Sequence, residues 1–431
     1  MILFSNPVLS LLSGVTTVLL LVQPHANGQA CNSPAAKYPA TFAGGLSAKV
    51  LINGLKNPRS LRFDTLGNLL VVEQGGAGVR QIKLTDDGTN VCVASSKQII
   101  ADNTLNHGIE LSADGKTLYV SSVNNLDQYT YDAAAGTATN KKTLVNSMKN
   151  GGGHLTRTLL IPKAYPDLIL MGRGSDGNVD QGAKQTSSGR SQIRLFNLTQ
   201  VAATPVAYAT GGTLFAWGLR NPVGIGENPV TGEIWSIDQG EDDIKRSGKD
   251  VHNTNPGEKL NFHGLVSDTK GPLFGANYGY PECVPAYDTS VLGISGIKTG
   301  EMFWVEGTTQ TTTQDANCKS RIAPRLVFPA HNSPIDIKFN KDGSRAYVTW
   351  HGSWDRNPPD GYRLDRVEFL ASGQPKEPST STQSGLHVMS NNNMGSCPGS
   401  CFRPSGLAFD SKDRLFMTSD SSGEIFVLKG T

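Results

Sequence analysis

The stretch Asn106-His107-Gly108-Ile109-Glu110-Leu111-Ser112-Ala113-Asp114-Gly115-Lys116-Thr117-Leu118-Tyr119-Val120 decides the fold. A polar opening leads into a short apolar run, an Asp-Gly turn and a second apolar run, which is the pattern of a β-hairpin. The same order of residue types recurs five more times. Pro58-Arg59-Ser60-Leu61-Arg62-Phe63 precedes the turn Leu66-Gly67-Asn68 and the run Leu69 to Val72. Gly153-His154-Leu155-Thr156-Arg157 leads on to Leu168 to Met171, and Leu219-Arg220-Asn221-Pro222 passes Thr231-Gly232 to Ile234-Trp235. Ser333-Pro334-Ile335 passes Lys341-Asp342-Gly343 to Ala346-Tyr347-Val348, and Arg403-Pro404-Ser405-Gly406 passes Ser411-Lys412-Asp413 to Leu415-Phe416-Met417. Repeated strand–turn–strand units form a meander, and a ring of meanders protects the strand edges, so the pattern predicts an all-β, six-bladed β-propeller. The fourth and fifth units stand furthest apart. The gap between them holds Cys283 and Cys318 and reads as an insertion with room for a weak seventh blade. Thr308 to Gln314 and Ser379 to Ser384 read as loops.

Composition supports this reading. The 431 residues carry 48 Gly and 23 Pro, and only 18 % are charged, as suits a turn-rich all-β chain. Lys and Arg number 39 against 37 Asp and Glu, a formal charge of +2, so no basic field for nucleic acid exists and no nucleic-acid partner is expected. Val8 to Val22 is apolar and about as long as a signal-peptide core, with small residues following at Gly28 and Ala30. Residues 1–30 are therefore read as a signal peptide and residues 31–431 as a single propeller domain, secreted and without a membrane anchor. Six cysteines, at 31, 92, 283, 318, 397 and 401, allow fifteen pairings. Sequence proximity favours Cys397–Cys401 and Cys283–Cys318, which leaves Cys31–Cys92. Asn197-Leu198-Thr199 is a sequon that fits a glycosylated surface.

In a propeller the loops entering the innermost strands converge on the axis. Here those openings carry Arg59, His107, His154, Arg220 and Arg403, with Arg157 just past His154 and His331-Asn332 ahead of the fifth unit. Several cations around one small space repel one another unless an anion sits among them, so the ring predicts a polyanionic ligand. Any one of these arginines also reads as the ion-pair partner of a carboxylate from a neighbouring blade. His154 is the strongest candidate for a base. Glycines 151–153 allow close approach, and an imidazole suits proton abstraction near neutrality. Trp350-His351-Gly352-Ser353-Trp354-Asp355-Arg356 offers indoles, an imidazole and a guanidinium to a flat anionic ring, although a tryptophan also seals blade interfaces. Asp238-Gln239-Gly240-Glu241-Asp242-Asp243 clusters hard oxygens around a glycine, as calcium prefers; the candidates are Gly240, Glu241, Asp242 and Asp243.

Four motifs then carry a family resemblance. Gly153-His154-Leu155-Thr156-Arg157-Thr158-Leu159 and Gly218-Leu219-Arg220-Asn221-Pro222-Val223-Gly224 resemble the soluble glucose and sorbosone dehydrogenases that use pyrroloquinoline quinone (PQQ). Asn277-Tyr278-Gly279-Tyr280-Pro281 and His351 to Arg356 are similar to the sorbosone branch, and the chain from Arg59 onward resembles fungal PQQ-dependent pyranose dehydrogenases. The resemblance implies a six-bladed propeller that binds PQQ and calcium on its axis and oxidises a sugar. It implies His154 as the base, Arg220 and Asn221 at the quinone oxygens, and Arg356 and Arg403 at the cofactor carboxylates. It implies the backbone carbonyls of Gly240 and Glu241 at the calcium. Arg59, His107, Arg157, His351 and Trp354 complete the expected cofactor shell. Val223 stands where the glucose enzymes carry Gln, so their substrate preference does not transfer. The electrons are expected to leave to a separate acceptor, a cytochrome domain or a copper oxygenase. Two other functions fit a propeller: a calcium-dependent lactonase, which needs carboxylates and Asn on the axis, and a non-catalytic carbohydrate-binding module.

Overall fold

A computed structural model describes Met1 and residues 33–43, 45–88, 90–148 and 152–430. The chain divides into Met1–Cys31 and Asn32–Thr431, and every sheet belongs to the second unit. The expected signal peptide and Cys31, the expected partner of Cys92, lie outside the described residues.

Six blades surround one axis. The innermost strands are Pro58–Phe63, Leu105–Leu111, Leu159–Leu160, Gly224–Glu227, Pro334–Phe339 and Pro404–Phe409, in blades one to six. Each belongs to one of the six units read from the sequence. Blade three departs most from the repeat, because its innermost strand is only two residues long and begins after Arg157. Each innermost strand pairs antiparallel with the strand that follows it. Burial falls from axis to rim. The second strands Leu69–Glu73, Ile234–Asp238 and Leu415–Ser419 are buried at every residue, whereas the outermost strand Val91–Ile100 is largely exposed. A strand covered by neighbouring blades on both faces reads as a continuous apolar run rather than an alternating one. This is why Leu69 to Val72 carries no polar residue.

The ring is closed by strand addition. Ser47–Ile52 pairs antiparallel with Glu424–Lys429 and supplies the outermost strand of blade six. Ala40–Phe42 adds a strand to blade five beside Leu386–Asn391. Closure of this kind removes an exposed sheet edge.

A repeated device ties the blades together near the axis. In blades two, five and six the innermost strand bulges near its start. A bulge strands a backbone N–H. Ser121, Thr349 and Thr418 on the second strands accept that N–H from Gly108, Asp336 and Gly406 at 2.9, 2.9 and 2.6 Å. Each hydroxyl then donates to the next blade, to the carbonyls of Arg157, Ser405 and Arg59 at 2.6, 2.7 and 2.8 Å. The starts of the innermost strands, where the site lies, are held by these cross-blade bonds. Their far ends close on an apolar cavity of about 490 Å³ lined by Leu61, Phe63, Leu111, Leu160, Phe339 and Leu407.

The gap between the fourth and fifth units holds no seventh blade. It contains the pair Cys283–Pro285 and Met302–Trp304 and the helix Thr312–Cys318, joined by the Cys283–Cys318 disulfide. The helix overlaps a stretch read as loop. Thr311 caps it reciprocally with Gln314, a local device that the absence of an apolar stripe conceals. The second expected disulfide, Cys397–Cys401, is also formed. Asn197 of the sequon caps the helix Leu198–Ala203 by accepting the Gln200 N–H at 3.0 Å. No described helix is long and apolar enough to cross a membrane.

Candidate functional site

At the strand-start end of the axis lies a cavity of about 170 Å³ lined by His154, Arg220, Gln239, Gly240, Asp242, Glu258, His331, Ser333 and Trp354. Blades three, four and five supply these residues.

His154 precedes the short innermost strand of blade three. Its Nδ1 lies 2.8 Å from Ser175 Oγ, and that hydroxyl donates its hydrogen to the Gly177 carbonyl at 2.6 Å. The hydroxyl oxygen is therefore the acceptor, Nδ1 carries the proton, and Nε2 is the lone-pair nitrogen. Burial, aided by the Arg220 charge, holds the imidazole down to about 3, so it is neutral at ordinary pH. Gly174 permits the packing, because a Cβ there would stand 2.6 Å from both His154 Cβ and Asn221 Oδ1. Arg157 does not reach the cavity. It is fully buried and donates to the carbonyls of Met148, His154 and Thr156 at 2.8 to 2.9 Å, bracing the loop that presents His154.

Arg220 and Asn221 are fixed by one carboxylate. Asp238 accepts both backbone N–H groups, at 3.2 and 2.6 Å, and is ion-paired to the buried Lys259 at 2.7 Å. The Arg220 guanidinium donates to Asn178 and, at 2.6 Å, to Asp242. Asn221 donates to Gln239 at 2.7 Å, and Gln239 in turn donates to Ser333 and Pro334. Glu258 accepts the N–H groups of Gly240 and Ser333 at 2.8 and 2.9 Å, joining blade four to blade five. The Tyr280 hydroxyl receives the Asp180 N–H at 2.8 Å and donates to the Asn178 carbonyl at 3.0 Å, so the Tyr-Pro motif braces the residue that holds Arg220.

The ring of unpaired cations expected from the sequence is corrected here. Arg59 pairs with Asp420 at 2.7 Å, and the same carboxylate lies 2.9 Å from His351 Nε2. Arg403 donates to the carbonyls of His351 and Gly352 and lies over the Tyr362 ring. Arg356 donates to the Ala330 carbonyl at 3.1 Å and lies 3.5 Å from Asp360. His107 is fully buried, burial drives its protonation well below the ordinary range, and neither ring nitrogen has a hydrogen-bond partner among the described residues. Of the nine residues expected to hold the cofactor, only Arg220 and Trp354 line the cavity. Trp354 keeps 72 % of its surface exposed at the mouth, whereas Trp350 is buried against Phe328 between blades four and five.

Of the expected metal ligands, Gly240 and Asp242 face the cavity. The Glu241 side chain turns inward and is fully buried, and desolvation pushes its carboxyl up to about 7. Asp243 is exposed and donates its N–H to Asp355. The reading from sequence missed Ser175, Gln239, Glu258 and Ser333. Ser175 had a signal in Gly174-Ser175-Asp176-Gly177, a polar, glycine-flanked end to an apolar strand.

The TrAA12-like family matches residues 40–431. A PQQ-dependent sugar dehydrogenase of Hypocrea jecorina is 43 % identical over 92 % of this chain and 91 % of its own length. The calcium structure of a family AA12 enzyme from Trichoderma reesei superposes with a TM-score of 0.89 at 43 % identity, covering 93 % of this chain and 99 % of that one. The holo PQQ domain of the Coprinopsis cinerea pyranose dehydrogenase gives 0.86 at 36 % identity over 93 % and 99 % of the two chains. This chain spans 55 % of the whole Coprinopsis enzyme, at 37 % identity and over 92 % of its own length.

Proposed function

Since the chain belongs to the TrAA12-like family, we propose that it is a PQQ-dependent dehydrogenase that oxidises a sugar at the axial cavity. The observation that carries the reading is a neutral His154, tautomer fixed by Ser175, facing the same small cavity as Arg220 and an exposed indole. The residues fit the cofactor. A large aromatic left 72 % exposed at a cavity mouth has no packing role and offers a face to a flat ring. Arg220 offers a fork of donors to oxygen atoms beside it. When bound, PQQ supplies an electrophilic quinone that accepts a hydride.

The chain's own residues supply the rest. His154 Nε2 takes the proton from a sugar hydroxyl, while Ser175 keeps the ring from rotating. Arg220, held rigid by Asp238, Asp242 and Asn178, stabilises negative charge on oxygen without reorganising. The Gly240 and Glu241 carbonyls would hold calcium, which takes oxygen donors, with Asp242 alongside. Electrons then leave to a separate acceptor, a haem domain or a copper oxygenase, and the chain acts outside the cell.

Calorimetric titration of the chelator-stripped chain with PQQ, with and without calcium, tests this. One-to-one binding that requires calcium is expected, together with sugar-dependent dye reduction that His154→Gln abolishes while leaving PQQ binding intact. Absence of PQQ binding under both conditions would overturn the proposal.

A further inference from the structure

In the wall of the cavity, where His331 and Asp242 line it, one imidazole and two carboxylates converge. His331 Nδ1 lies 3.7 Å from Asp242 Oδ1 and 3.9 Å from Asp355 Oδ2, and the three donor atoms all lie within 4.8 Å of one another. The two contacts to His331 are too long for hydrogen bonds. They are a few tenths of an ångström wider than the roughly 3.4–3.6 Å that separates two donors sharing a four-coordinate ion at about 2.1 Å.

The orientation of His331 is the second observation. Its Nε2 lies 2.6 Å from the His252 carbonyl oxygen, an obligate acceptor, so Nε2 carries a proton. Nδ1 then faces two carboxylates, and a positive charge belongs between them, carried either by a proton on the ring or by a metal ion. A backbone carbonyl holding the far N–H of an imidazole is how metal-binding histidines are aimed. The ring is nearly buried. The carboxylates are aimed as well. Asp242 gives its other oxygen to Arg220 at 2.6 Å, and Asp355 accepts the Asp243 N–H at 3.0 Å. The second oxygen of Asp355 lies 3.9 Å from His252 Nε2, which adds an imidazole within reach.

We propose that Asp242, His331 and Asp355 bind one divalent transition-metal ion of the zinc class. An imidazole with carboxylates selects such an ion over calcium, which takes oxygen donors alone. The site adjoins the one assigned to calcium and shares Asp242 and the axial cavity with it, but draws on side chains rather than on the Gly240 and Glu241 carbonyls. An ion there ties the blade-four loop carrying Asp242 to the blade-five loop carrying Asp355 and Trp354, and so fixes the mouth of the cavity.

The test is equilibrium dialysis of the chelator-stripped full chain against Zn²⁺ alone. One equivalent is expected to bind, and His331→Gln and Asp355→Asn should each weaken it at least about tenfold. His387→Gln, on the outer strand of blade five, should bind zinc as the unaltered chain does. Thermal melts establish that each variant is folded. Co²⁺ added to the unaltered chain supplies a readout without any substitution, and the visible absorption of a low-coordinate site with nitrogen donors is expected. No saturable zinc, equal zinc in His331→Gln and the unaltered chain, or displacement of zinc by equimolar Ca²⁺ would overturn the proposal. The first two outcomes would make His331 an imidazolium clamped between carboxylates.

Discussion

Ser175→Ala tests whether the base is made by its neighbour. The Ser175 side chain is fully buried, accepts from His154 Nδ1 at 2.8 Å and donates to the Gly177 carbonyl at 2.6 Å. Removing the hydroxyl takes this partner from two half-buried polar groups. A buried group deprived of its hydrogen bond costs about 1–3 kcal/mol. The carbonyl share appears as lost stability and lowers the melting temperature by a few degrees. The imidazole share appears in turnover. An orienting interaction of about 1.5–3 kcal/mol, absent at the moment of proton transfer, reduces kcat roughly 10- to 150-fold. That lies mostly below the roughly 10²–10⁴-fold that a general base contributes in full, so Ser175→Ala should be less damaging than His154→Gln. The assay is sugar-dependent dye reduction at saturating PQQ and calcium, with PQQ affinity measured in parallel. kcat should fall, with KM and PQQ affinity little changed. If kcat stays within about twofold of the unaltered enzyme while the melting temperature drops, Ser175 serves the fold alone, and orientation of His154 through it is refuted.

Four further outcomes are expected. Because burial and Arg220 hold His154 down to about 3, the acid side of the pH–rate profile should lack a limb near 6.5, and half-loss of kcat/KM near that value would contradict a neutral resting base. The buried His263 is likewise held to about 3 by desolvation, so the stability it protects is complete above about pH 6.5 and declines as pH falls toward 3; urea melts should show that decline, with a shallower slope in His263→Gln. Trp354→Ala should weaken PQQ binding about tenfold yet shift stability by no more than about 0.5 kcal/mol, because an exposed indole contributes little to the core. Replacing Cys283 and Cys318 together by serine opens a loop with a sequence separation of 35, for which loop entropy gives at most about 4 kcal/mol, and a denaturant melt should show a loss no larger than this.

The hairpin at Asn106 to Val120 could be read directly because propeller blades are built from local pairings. Each innermost strand bonds to the next segment of the chain, so the turn residues and apolar runs of one short window specify the contact. The insertion could not be read in this way. Its helix Thr312–Cys318 is held by a cap and a disulfide rather than an apolar face, and its two-stranded pair is only three residues long on each side. Strand addition by Ser47–Ile52 was also hidden, because its partner Glu424–Lys429 lies at the other end of the sequence and no local pattern links them.

The site shows a different limit. Aligning the repeats found what the innermost strands carry at their openings, and those positions hold cations: Arg59, Arg220, Arg403. What neutralises Arg59 and Arg220 sits beyond the ends of second strands, at Asp420 of blade six and Asp242 of blade four, while Arg403 is held by the carbonyls of His351 and Gly352. An alignment of strand starts cannot display a charge that arrives from a strand end, so the sequence overstated the positive field on the axis. The structure leaves a narrower argument for an anionic ligand. Arg59 is committed to Asp420, whereas Arg220, though paired with Asp242, still lines the cavity beside a neutral histidine. Burial first, and the fixed Arg220 charge second, keep that imidazole unprotonated at rest.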